Sequence, residues 1–469
     1  MPQSAMKHGA LLRALREALD PDAVCDDPVV LAATSHDTWP LATKWARVGL
    51  HPNQADVVVR AGSVDDVRQV LRIAVEQGVP VTVRALASSV TGQPLPVMGG
   101  IVLDVSTLPS TIELNEVDLT VTVGASQPGG ALEDWLQARG YTLGHSPQSL
   151  YRSTVGGWLA TLATGQFSSL YGGIEDLVVG YTVMLADGDV VELRARPRAA
   201  MGPDLRQLFL GSEGTLGVVL SVTLKVFPVA EAEVVQSFAV PDVHTGLDAV
   251  RGLVRAGLRP FLVRLYDPDE ARHALADPSA SSPVLFLGFR GVRAVAEAEL
   301  EAATERLLAV GATPQGDAPV RAWLERRFDF STVENLLDRP GGYAETIEVA
   351  HYWSRIEDLY RALKTALSPL ADEVLVHFSH VYPQGTSMYV ILLGRATDDE
   401  AAIRRLETIW ATAMEVALEH GAELSHHHGG GLARSAYAER SLGSAHHLLR
   451  MIKSALDPRG ILNPGKLGL

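Results

Sequence analysis

Three glycine-rich segments constrain the fold of this chain more than any other feature of its sequence. They are Ser153–Thr161, Tyr171–Val179 and Gly211–Val219. Glycines and small hydroxyl residues let backbone N–H groups come close to phosphates and to a flat ring. One such segment is often only a structural turn, but three in this order and spacing indicate a ligand that carries both phosphates and a flat ring.

A chain of 469 residues is long enough for several domains, since about 150 residues per domain is typical. Leucines at helical spacing near the amino terminus predict a helical segment over 1–48 that packs on the body of the protein. Strands at Val57–Arg60 and Val81–Val83, with a helix between them, predict a parallel pair within a first domain, 49–231. Over 232–425 strands alternate with long helices, which predicts an α+β domain with an antiparallel sheet. The predicted strands lie near Val234–Val240, Phe261–Tyr266, Val284–Phe289, Tyr343–Val349 and Tyr389–Leu393. The remaining segment is 426–469.

Net charge and cysteine content exclude several classes of protein. The formal net charge of −15 disfavours a nucleic-acid binder, which needs a basic face to neutralise phosphates. A single cysteine, Cys25, excludes a disulfide framework and a cysteine-based zinc site, and it indicates a reducing cytoplasm. The sequence has no uncharged apolar run of about 18 residues, so we predict no membrane span, and the amino terminus does not read as a secretory signal.

The glycine-rich segments, taken with Met201–Asp204 and the triplet His426–His428, resemble the FAD-linked oxidases of the vanillyl-alcohol-oxidase type. Within that superfamily the sequence is most similar to the alkylglycerone-phosphate synthases. The resemblance covers residues from about 50 to 469. It implies an α+β fold with a two-subdomain FAD-binding domain of the PCMH type at 49–231, a substrate-binding cap domain at 232–425, and a carboxy-terminal segment, 426–469, that returns to the flavin.

FAD, bound non-covalently, is the cofactor that the resemblance implies. Its contacts fall on Ser88, Ser89, Val90, Gln148, Ser149, Ser153, Thr154, Thr161, Ala163, Thr164, Glu213, Gly214, Thr215, Leu216, Gly217, Val218 and Val219. The sequence departs from the family in the first phosphate loop, where Ala85-Leu86-Ala87 replaces three glycines, and at Leu162, which replaces an arginine. Each glycine lost at a positive φ costs about 1–2 kcal/mol, and a leucine can block the pyrophosphate, so we predict weakened or lost FAD binding.

The resemblance places the catalytic groups at Tyr389 and at His426, His427 and His428. A phenol with a perturbed pKa can donate a proton to a departing carboxylate, and the histidine triplet supplies a base and phosphate contacts. From the residues alone, Tyr389 is equally well explained as a core aromatic of a strand.

Arg264, Arg327 and Glu348 are the substrate-binding residues that the resemblance implies, with Arg326 competing for the place of Arg327. Arg264 is a charge inside an apolar strand, so it needs an anionic partner. That partner is either a substrate carboxylate or phosphate, or an internal carboxylate such as Asp267 or Glu348.

A metal site is not expected. The D-lactate and glycolate dehydrogenases of the superfamily carry a His-x6-His metal pair and a Glu-His-Gly segment. Neither His377 nor His380 has a histidine seven positions later, and the Glu-His-Gly place reads His426-His427-His428-Gly429.

The reaction that the resemblance implies exchanges the acyl group of an acyl-dihydroxyacetone phosphate for a long-chain alcohol, with the flavin as an electron sink and no net redox change. The expected partner is an anionic, lipid-like small molecule and not a nucleic acid. The resemblance further implies a cytoplasmic homodimer that makes transient contact with a membrane surface. Two alternatives stay open: an FAD-linked oxidase or dehydrogenase of a hydroxy acid, and a flavin-free relative that binds its ligand without turnover.

Overall fold

The computed structural model describes residues 2–469. The amino-terminal segment and the first sheet comprise α1 Pro2–Ala18, β1 Val24–Cys25, α2 Pro28–Ala33, α3 Pro40–Arg47, β2 Val57–Arg60, α4 Val64–Gln77, β3 Val81–Arg84 and β4 Ile101–Asp104. Helix α4 begins at Ser63, whose hydroxyl accepts from the Asp66 N–H, and it ends at Gly78, which has a φ of +65°. Helix α1 packs on α4 and buries Leu11 and Leu15, as the leucine spacing predicts.

The first sheet has the strand order β1-β2-β4-β3, and its last three strands are parallel. The prediction that β2 and β3 pair with each other is wrong, because β4 lies between them and both strands meet it at Ile101. In the central strand β4, Ile101, Val102 and Leu103 are fully buried, as expected for a parallel strand covered on both faces. The loop from β3 to β4 contains the first phosphate loop.

A second, five-stranded sheet completes the first domain. Its region comprises β5 Glu113–Asn115, β6 Thr120–Gly124, α5 Gly129–Gln137, β7 Tyr141–Thr142, α6 Val155–Thr161, α7 Ser168–Tyr171, α8 Ile174–Leu177, β8 Val178–Met184, β9 Val190–Leu193, β10 Val218–Lys225 and β11 Phe227–Pro228. The strand order is β5-β6-β10-β8-β9, with antiparallel pairing throughout. Two of the three glycine-rich segments lead directly into strands of this sheet, β8 and β10.

The cap domain is built on a seven-stranded antiparallel sheet of order β15-β12-β14-β13-β17-β18-β16, which confirms the predicted α+β class. Its elements are β12 Ala232–Ala239, α9 Val243–Arg255, β13 Leu262–Tyr266, α10 Pro268–Leu275, β14 Val284–Gly291, α11 Arg293–Ala309, β15 Thr313–Gly316, α12 Ala318–Arg326, α13 Ser331–Asp338, β16 Gly342–Tyr352, α14 Ile356–Leu367, β17 Glu373–Val381, β18 Gly385–Arg395 and α15 Asp399–Glu419. One face of the sheet packs on α9, α11, α14 and α15.

The carboxy-terminal segment adds to the first sheet. It contains α16 Gly431–Ser435, α17 Ala438–Leu442 and α18 Ser444–Leu456. Beyond α18 the Val81 N–H donates to the Ile461 carbonyl at 2.7 Å, and the Asn463 N–H donates to the Val81 carbonyl at 2.8 Å. The chain end therefore pairs with β3 beside the phosphate loop. None of the helices within residues 2–469 combines the length and apolarity needed to cross a lipid bilayer.

Candidate active site

A cavity of about 980 Å³ is lined by residues of the first domain, the cap domain and the histidine triplet. Most of the predicted cofactor residues lie on its wall: Ser88, Ser89, Val90, Gln148, Ser149, Ser153, Thr154, Thr161, Ala163, Thr164, Glu213, Gly214, Gly217, Val218 and Val219. Thr215 and Leu216 do not reach the cavity. They are fully buried beneath it, where the Thr215 hydroxyl donates to the Ser212 carbonyl at 2.7 Å and Leu216 joins the core of the second sheet.

The substituted phosphate loop leaves the cavity open. Leu86 lies on the wall and does not fill the space, so the predicted block by this side chain is not what the structure shows. Of the three residues that replace glycines, only Ala87 has a positive φ, +52°. The loop is held from the amino-terminal segment, because the Thr38 N–H and hydroxyl both donate to the Ser89 carbonyl, at 3.0 and 2.8 Å.

The wall has the donor chemistry that FAD requires. Its first-domain part consists of serine and threonine hydroxyls and small residues, which can approach phosphates and a flat ring closely. Arg84 lies on the wall at the end of β3, and burial lowers the pKa of its guanidinium, which still stays positive. Burial raises the pKa of the Glu213 carboxyl, which accepts hydrogen bonds from the Gly430 and Gly431 N–H groups and joins the third glycine-rich segment to the carboxy-terminal one.

The pairing register of the cap-sheet strands places four polar residues of the site in one row. The row lies on the face of the sheet opposite α9, α11, α14 and α15. Tyr266 on β13 faces His377 on β17, His377 faces Tyr389 on β18, and Tyr389 faces Glu348 on β16. The rings of His377 and Tyr389 are stacked with centroids 5.0 Å apart. Strand β17 was not predicted, because the polar residues in its second half interrupt its apolar alternation.

Tyr389 and His428 form a pair at the cavity wall. The Tyr389 hydroxyl lies 3.4 Å from His428 Nε2. Burial raises the pKa of Tyr389 to about 12 and lowers the pKa of His428 to about 4. Among the described residues His428 Nδ1 has no hydrogen-bond partner. At neutral pH the pair therefore consists of a protonated phenol and a neutral imidazole, which are a proton donor and a proton acceptor.

Glu348 does not line the cavity, in contrast to its predicted contact with substrate. It is fully buried beneath the histidine triplet, where its carboxylate accepts from the backbone N–H groups of His426 and His428 and from Arg434 Nη2. Burial raises the pKa of Glu348, but the Arg434 guanidinium and the three imidazoles lower it more, so that it ends well below its usual value. Glu348 is therefore a residue that positions the triplet.

Arg264 has no carboxylate partner within residues 2–469, so neither internal ion pair considered for it is present. Its Nε donates to the Tyr266 hydroxyl at 2.8 Å, its Nη1 to Gln166 Oε1 at 2.7 Å, and its Nη2 lies 3.0 Å from His377 Nε2. Asp267 pairs instead with Lys364. The other nitrogen of His377 lies 2.8 Å from Glu270 Oε1.

Arg327 also lacks a carboxylate partner in the described part of the chain and donates to the Ser146 hydroxyl. Burial, together with the charges of Arg264 and Arg290, lowers the pKa of Arg327 to about 10. Arg326 likewise reaches the cavity wall, but one of its nitrogens is already bound to the Ala274 carbonyl at 2.6 Å. Arg264 and Arg327 thus bring to one wall two guanidinium groups that have no direct carboxylate partner in the described part of the chain.

Of the predicted catalytic histidines, His427 and His428 line the cavity and His426 lies behind them. His426 and His427 meet a histidine for which the sequence had predicted no role, since the ring of His380 is 4.9 Å from each of them. No spacing rule relates His380 to the triplet, because the two lie on different segments. Gln166, Glu270 and Arg434 were missed for the same reason.

Comparison with known sequences agrees with this geometry. Residues 229–467 match the family described as FAD linked oxidases, C-terminal domain, and residues 55–194 match the FAD binding domain. The chain belongs to the FAD-linked oxidase family. Its cofactor is FAD, and its two-subdomain FAD-binding region is of the PCMH type.

Three relatives illustrate the range of this family. The chain is 30% identical to the uncharacterized FAD-linked oxidoreductase YgcU of Escherichia coli (strain K12), over 99% of both chains. It is 26% identical to alkyldihydroxyacetonephosphate synthase of Dictyostelium discoideum, over 90% of this chain and 74% of that one. It is 28% identical to glycolate oxidase subunit GlcD of Bacillus subtilis (strain 168), over 89% of this chain and 90% of that one.

Solved structures share the fold. An alkyldihydroxyacetonephosphate synthase superposes with a TM-score of 0.81 at 23% identity, covering 97% of this chain and 84% of the other. The p-cresol methylhydroxylase structure with substrate bound has the same TM-score at 15% identity, covering 99% and 97%. At such identities the likeness establishes the architecture, and the reaction has to be argued from the site.

Proposed function

We propose that this flavoprotein catalyses the exchange reaction of the alkylglycerone-phosphate synthase type, in which a long-chain alcohol replaces the acyl group of an acyl-dihydroxyacetone phosphate. The observation that carries the proposal is the Tyr389–His428 pair on the same cavity wall as two arginines without carboxylate partners. FAD, when bound, supplies an electron-accepting ring to the reacting carbon.

The two arginines suit a substrate with two anionic groups during the reaction, a phosphate and a carboxylate. A guanidinium forms two parallel, charge-assisted hydrogen bonds with either group. The present partners of Arg264 are neutral, so an oxyanion can compete for its N–H groups without having to break an ion pair.

Proton transfer falls to the tyrosine–histidine pair. Neutral His428 accepts a proton from the substrate carbon, and protonated Tyr389 donates to the carboxylate as its bond to that carbon breaks. One carbon–oxygen bond breaks and one forms. The incoming alcohol gives its proton to Tyr389, which replaces the one that left with the fatty acid, and His428 returns its proton to the substrate carbon. The balance therefore requires no external oxidant.

A second candidate is the oxidation of a small hydroxy acid to a keto acid, with two electrons passing to FAD and two protons released. It is supported by the similarity to a glycolate oxidase subunit and to an FAD-linked oxidoreductase. An arginine for the carboxylate and a neutral histidine as base also suit this chemistry.

The two reactions are separated by assaying the FAD-loaded protein. Labelled hexadecanol with palmitoyl-dihydroxyacetone phosphate should give a labelled ether and free palmitate. Mixing with a panel of hydroxy acids without oxygen should leave the flavin absorbance near ~450 nm unchanged. Bleaching by a hydroxy acid, with no ether formed, would replace the first proposal by the second.

Tyr389→Phe tests the assigned proton donor. We expect ether formation to fall by roughly 10²–10⁴-fold, the usual contribution of a positioned acid or base. Tyr352→Phe removes a hydroxyl from an exposed tyrosine and serves as the matched control. Equal rates for Tyr389→Phe and the wild type, at equal FAD content, would remove Tyr389 from the mechanism.

A further inference from the structure

We propose that Glu270 and His377 are positioning residues that orient the Arg264 guanidinium for a carboxylate or phosphate of the substrate. They bring negative charge toward this arginine through one neutral imidazole, and N–H groups of the guanidinium stay open to the substrate. The inference rests on the anionic substrate of the proposed function, but it holds equally for the exchange reaction and for the oxidation of a hydroxy acid.

The three residues form one hydrogen-bonded row. Glu270 lies in the first turn of α10, and its two carboxylate oxygens are 2.8 and 2.9 Å from His377 Nδ1. On the other side of the ring, His377 Nε2 is 3.0 Å from Arg264 Nη2. Arg264 and His377 line the cavity, whereas Glu270 is buried behind them. The row therefore runs from a buried carboxylate to a cation on the cavity wall.

The arginine fixes the tautomer of His377. A guanidinium has only N–H donors and stays protonated, so His377 Nε2 has to be the acceptor in this contact. Nδ1 then carries the proton and donates it to the Glu270 carboxylate. Burial and the charge of Arg264 lower the pKa of His377, although Glu270 acts in the opposite direction. The imidazole is therefore neutral at neutral pH, with its proton on the side of Glu270.

The Glu270 carboxylate depends on this row. Within residues 2–469 the imidazole of His377 is its one hydrogen-bond donor. A buried carboxylate is costly unless a nearby positive charge and hydrogen bonds compensate it. The positive charge at the far end of the row is that of Arg264. A carboxylate placed here for stability alone would gain more from a direct ion pair with the arginine.

The indirect arrangement leaves donors of Arg264 for a ligand. A guanidinium has five N–H groups, and one each goes to Tyr266, Gln166 and His377. The remaining two, one on each terminal nitrogen, have no partner in the part of the chain that the structure describes. Two such groups match the two oxygens of a carboxylate or phosphate. A direct pair with Glu270 would occupy them, and an incoming oxyanion would have to displace it.

Two substitutions separate the hydrogen bond of Glu270 from its bulk. Glu270→Gln keeps an acceptor for His377 Nδ1, because the amide oxygen can replace a carboxylate oxygen. Glu270→Met fills a similar space and removes the acceptor. The buried Nδ1–H then has no partner, so the imidazole changes its tautomer or turns, and Arg264 loses its support. Glu373→Met is the control, since it breaks an exposed glutamate–histidine pair at the start of the same strand.

Ligand binding to the FAD-loaded protein, followed by the change in flavin absorbance, tests the role of the row. Palmitate and hexadecanol have the same chain length, and only palmitate carries a carboxylate. Glu270→Met should weaken palmitate binding roughly 10-fold, as expected for one hydrogen bond to a charged group, and leave hexadecanol binding within about 2-fold. Glu270→Gln and Glu373→Met should bind both probes like the wild type. A general disturbance of the fold would weaken both probes equally and would overturn the proposal.

A second pair of probes separates this inference from the proposed function. α-Hydroxyisobutyrate has no hydrogen on its hydroxyl carbon and cannot be oxidised there, and the corresponding diol is its neutral match. If the wild type binds this acid but not palmitate, and Glu270→Met weakens the acid alone, the exchange reaction is excluded and the role of Glu270 stands. If the wild type binds neither acid, the assignment of an oxyanion to Arg264 is wrong.

The tautomer of His377 can be read without any ligand. In ¹⁵N NMR of histidine-labelled protein, the signals of His377 are those lost in His377→Gln. They should show a proton on Nδ1 and none on Nε2 in the wild type and in Glu270→Gln, and they should change in Glu270→Met. A proton on Nε2 of the wild type would overturn the proposal, and this measurement decides the matter if Glu270→Met does not fold.

Discussion

At the scale of single residues, the sequence predicted which side chains belong to the site better than it predicted what each of them contacts. Arg264 stood out in the sequence because a guanidinium in an apolar strand needs a partner, whereas Tyr389 was assigned a role by the family resemblance, and both residues line the cavity. Glu348 was implied by the resemblance as a substrate contact, but its carboxylate is satisfied by the backbone of a segment some 80 positions later. Sequence spacing contains no information about such a partner, and so a positioning residue was taken for a substrate contact.

Glu345 is the residue whose titration should be visible in stability. Burial raises the pKa of its carboxyl to about 8, despite hydrogen bonds from the Trp410 ring and the Thr346 N–H. A raised pKa means that its contribution to stability is complete below the unfolded value, 4.5, and is lost as the pH rises through about 8. We expect the free energy of unfolding of the wild type to fall by a few kcal/mol over this range because of this group, since one pKa unit corresponds to about 1.4 kcal/mol.

Glu345→Gln keeps the shape of the side chain and removes its titration. Urea unfolding between pH 5 and pH 8 should give a flatter profile for the variant than for the wild type. Parallel profiles would mean that the folded carboxyl titrates near its usual value.

At the scale of elements, the sequence located the strands with clear apolar patterns and missed those that carry polar residues. Strands β12, β13, β14, β16 and β18 all lie near their predicted positions. Strand β17 places His377 and His380 in the site. These polar residues interrupt the apolar pattern by which a strand is recognised in a sequence. The parallel strands were found, but their order was not, because β2 and β4 are equally apolar and their sequences do not show that β4 lies between β2 and β3.

The phosphate loop gives a test at this scale. Ala87 has a φ of +52°, so Ala87→Gly should relieve about 1 kcal/mol of strain and, if the loop relaxes on losing FAD, tighten FAD binding up to about 5-fold. Ala85→Gly makes the same chemical change at a position without positive φ and should give no gain. Fluorescence titration of the apoprotein with FAD measures both. Equal effects of the two substitutions would show that backbone strain at Ala87 does not limit binding.

At the scale of the whole molecule, both chain ends serve the cavity. The amino-terminal segment holds the phosphate loop through Thr38, and the carboxy-terminal segment pairs with β3. The apolar face of α1 is buried on the body through Leu11, Leu15 and Leu19, as predicted for this segment. The sequence also predicts transient contact with a membrane surface and a homodimer. Both of these remain predictions. The sequence motifs implied the domains. The contacts that the carboxy-terminal segment makes with β3 join residues several hundred positions apart, and no local sequence pattern encodes them.

Lys44 links the amino-terminal segment to the cap domain, and its loss should loosen their association. Its fully buried Nζ donates to Asp399 Oδ1 at 2.7 Å and to the Leu337 and Arg339 carbonyls at 2.7 and 3.1 Å. Lys44→Met keeps the aliphatic stem but leaves these buried acceptors unsatisfied, so we expect a loss of about 3 kcal/mol in unfolding free energy. Arg47→Met removes the more exposed partner of Asp399 and should cost at most about 1 kcal/mol. Hydrogen exchange should quicken in α3 and at the start of β16 for Lys44→Met alone. If the two variants lose equal stability, the buried ammonium does not hold the segment to the cap.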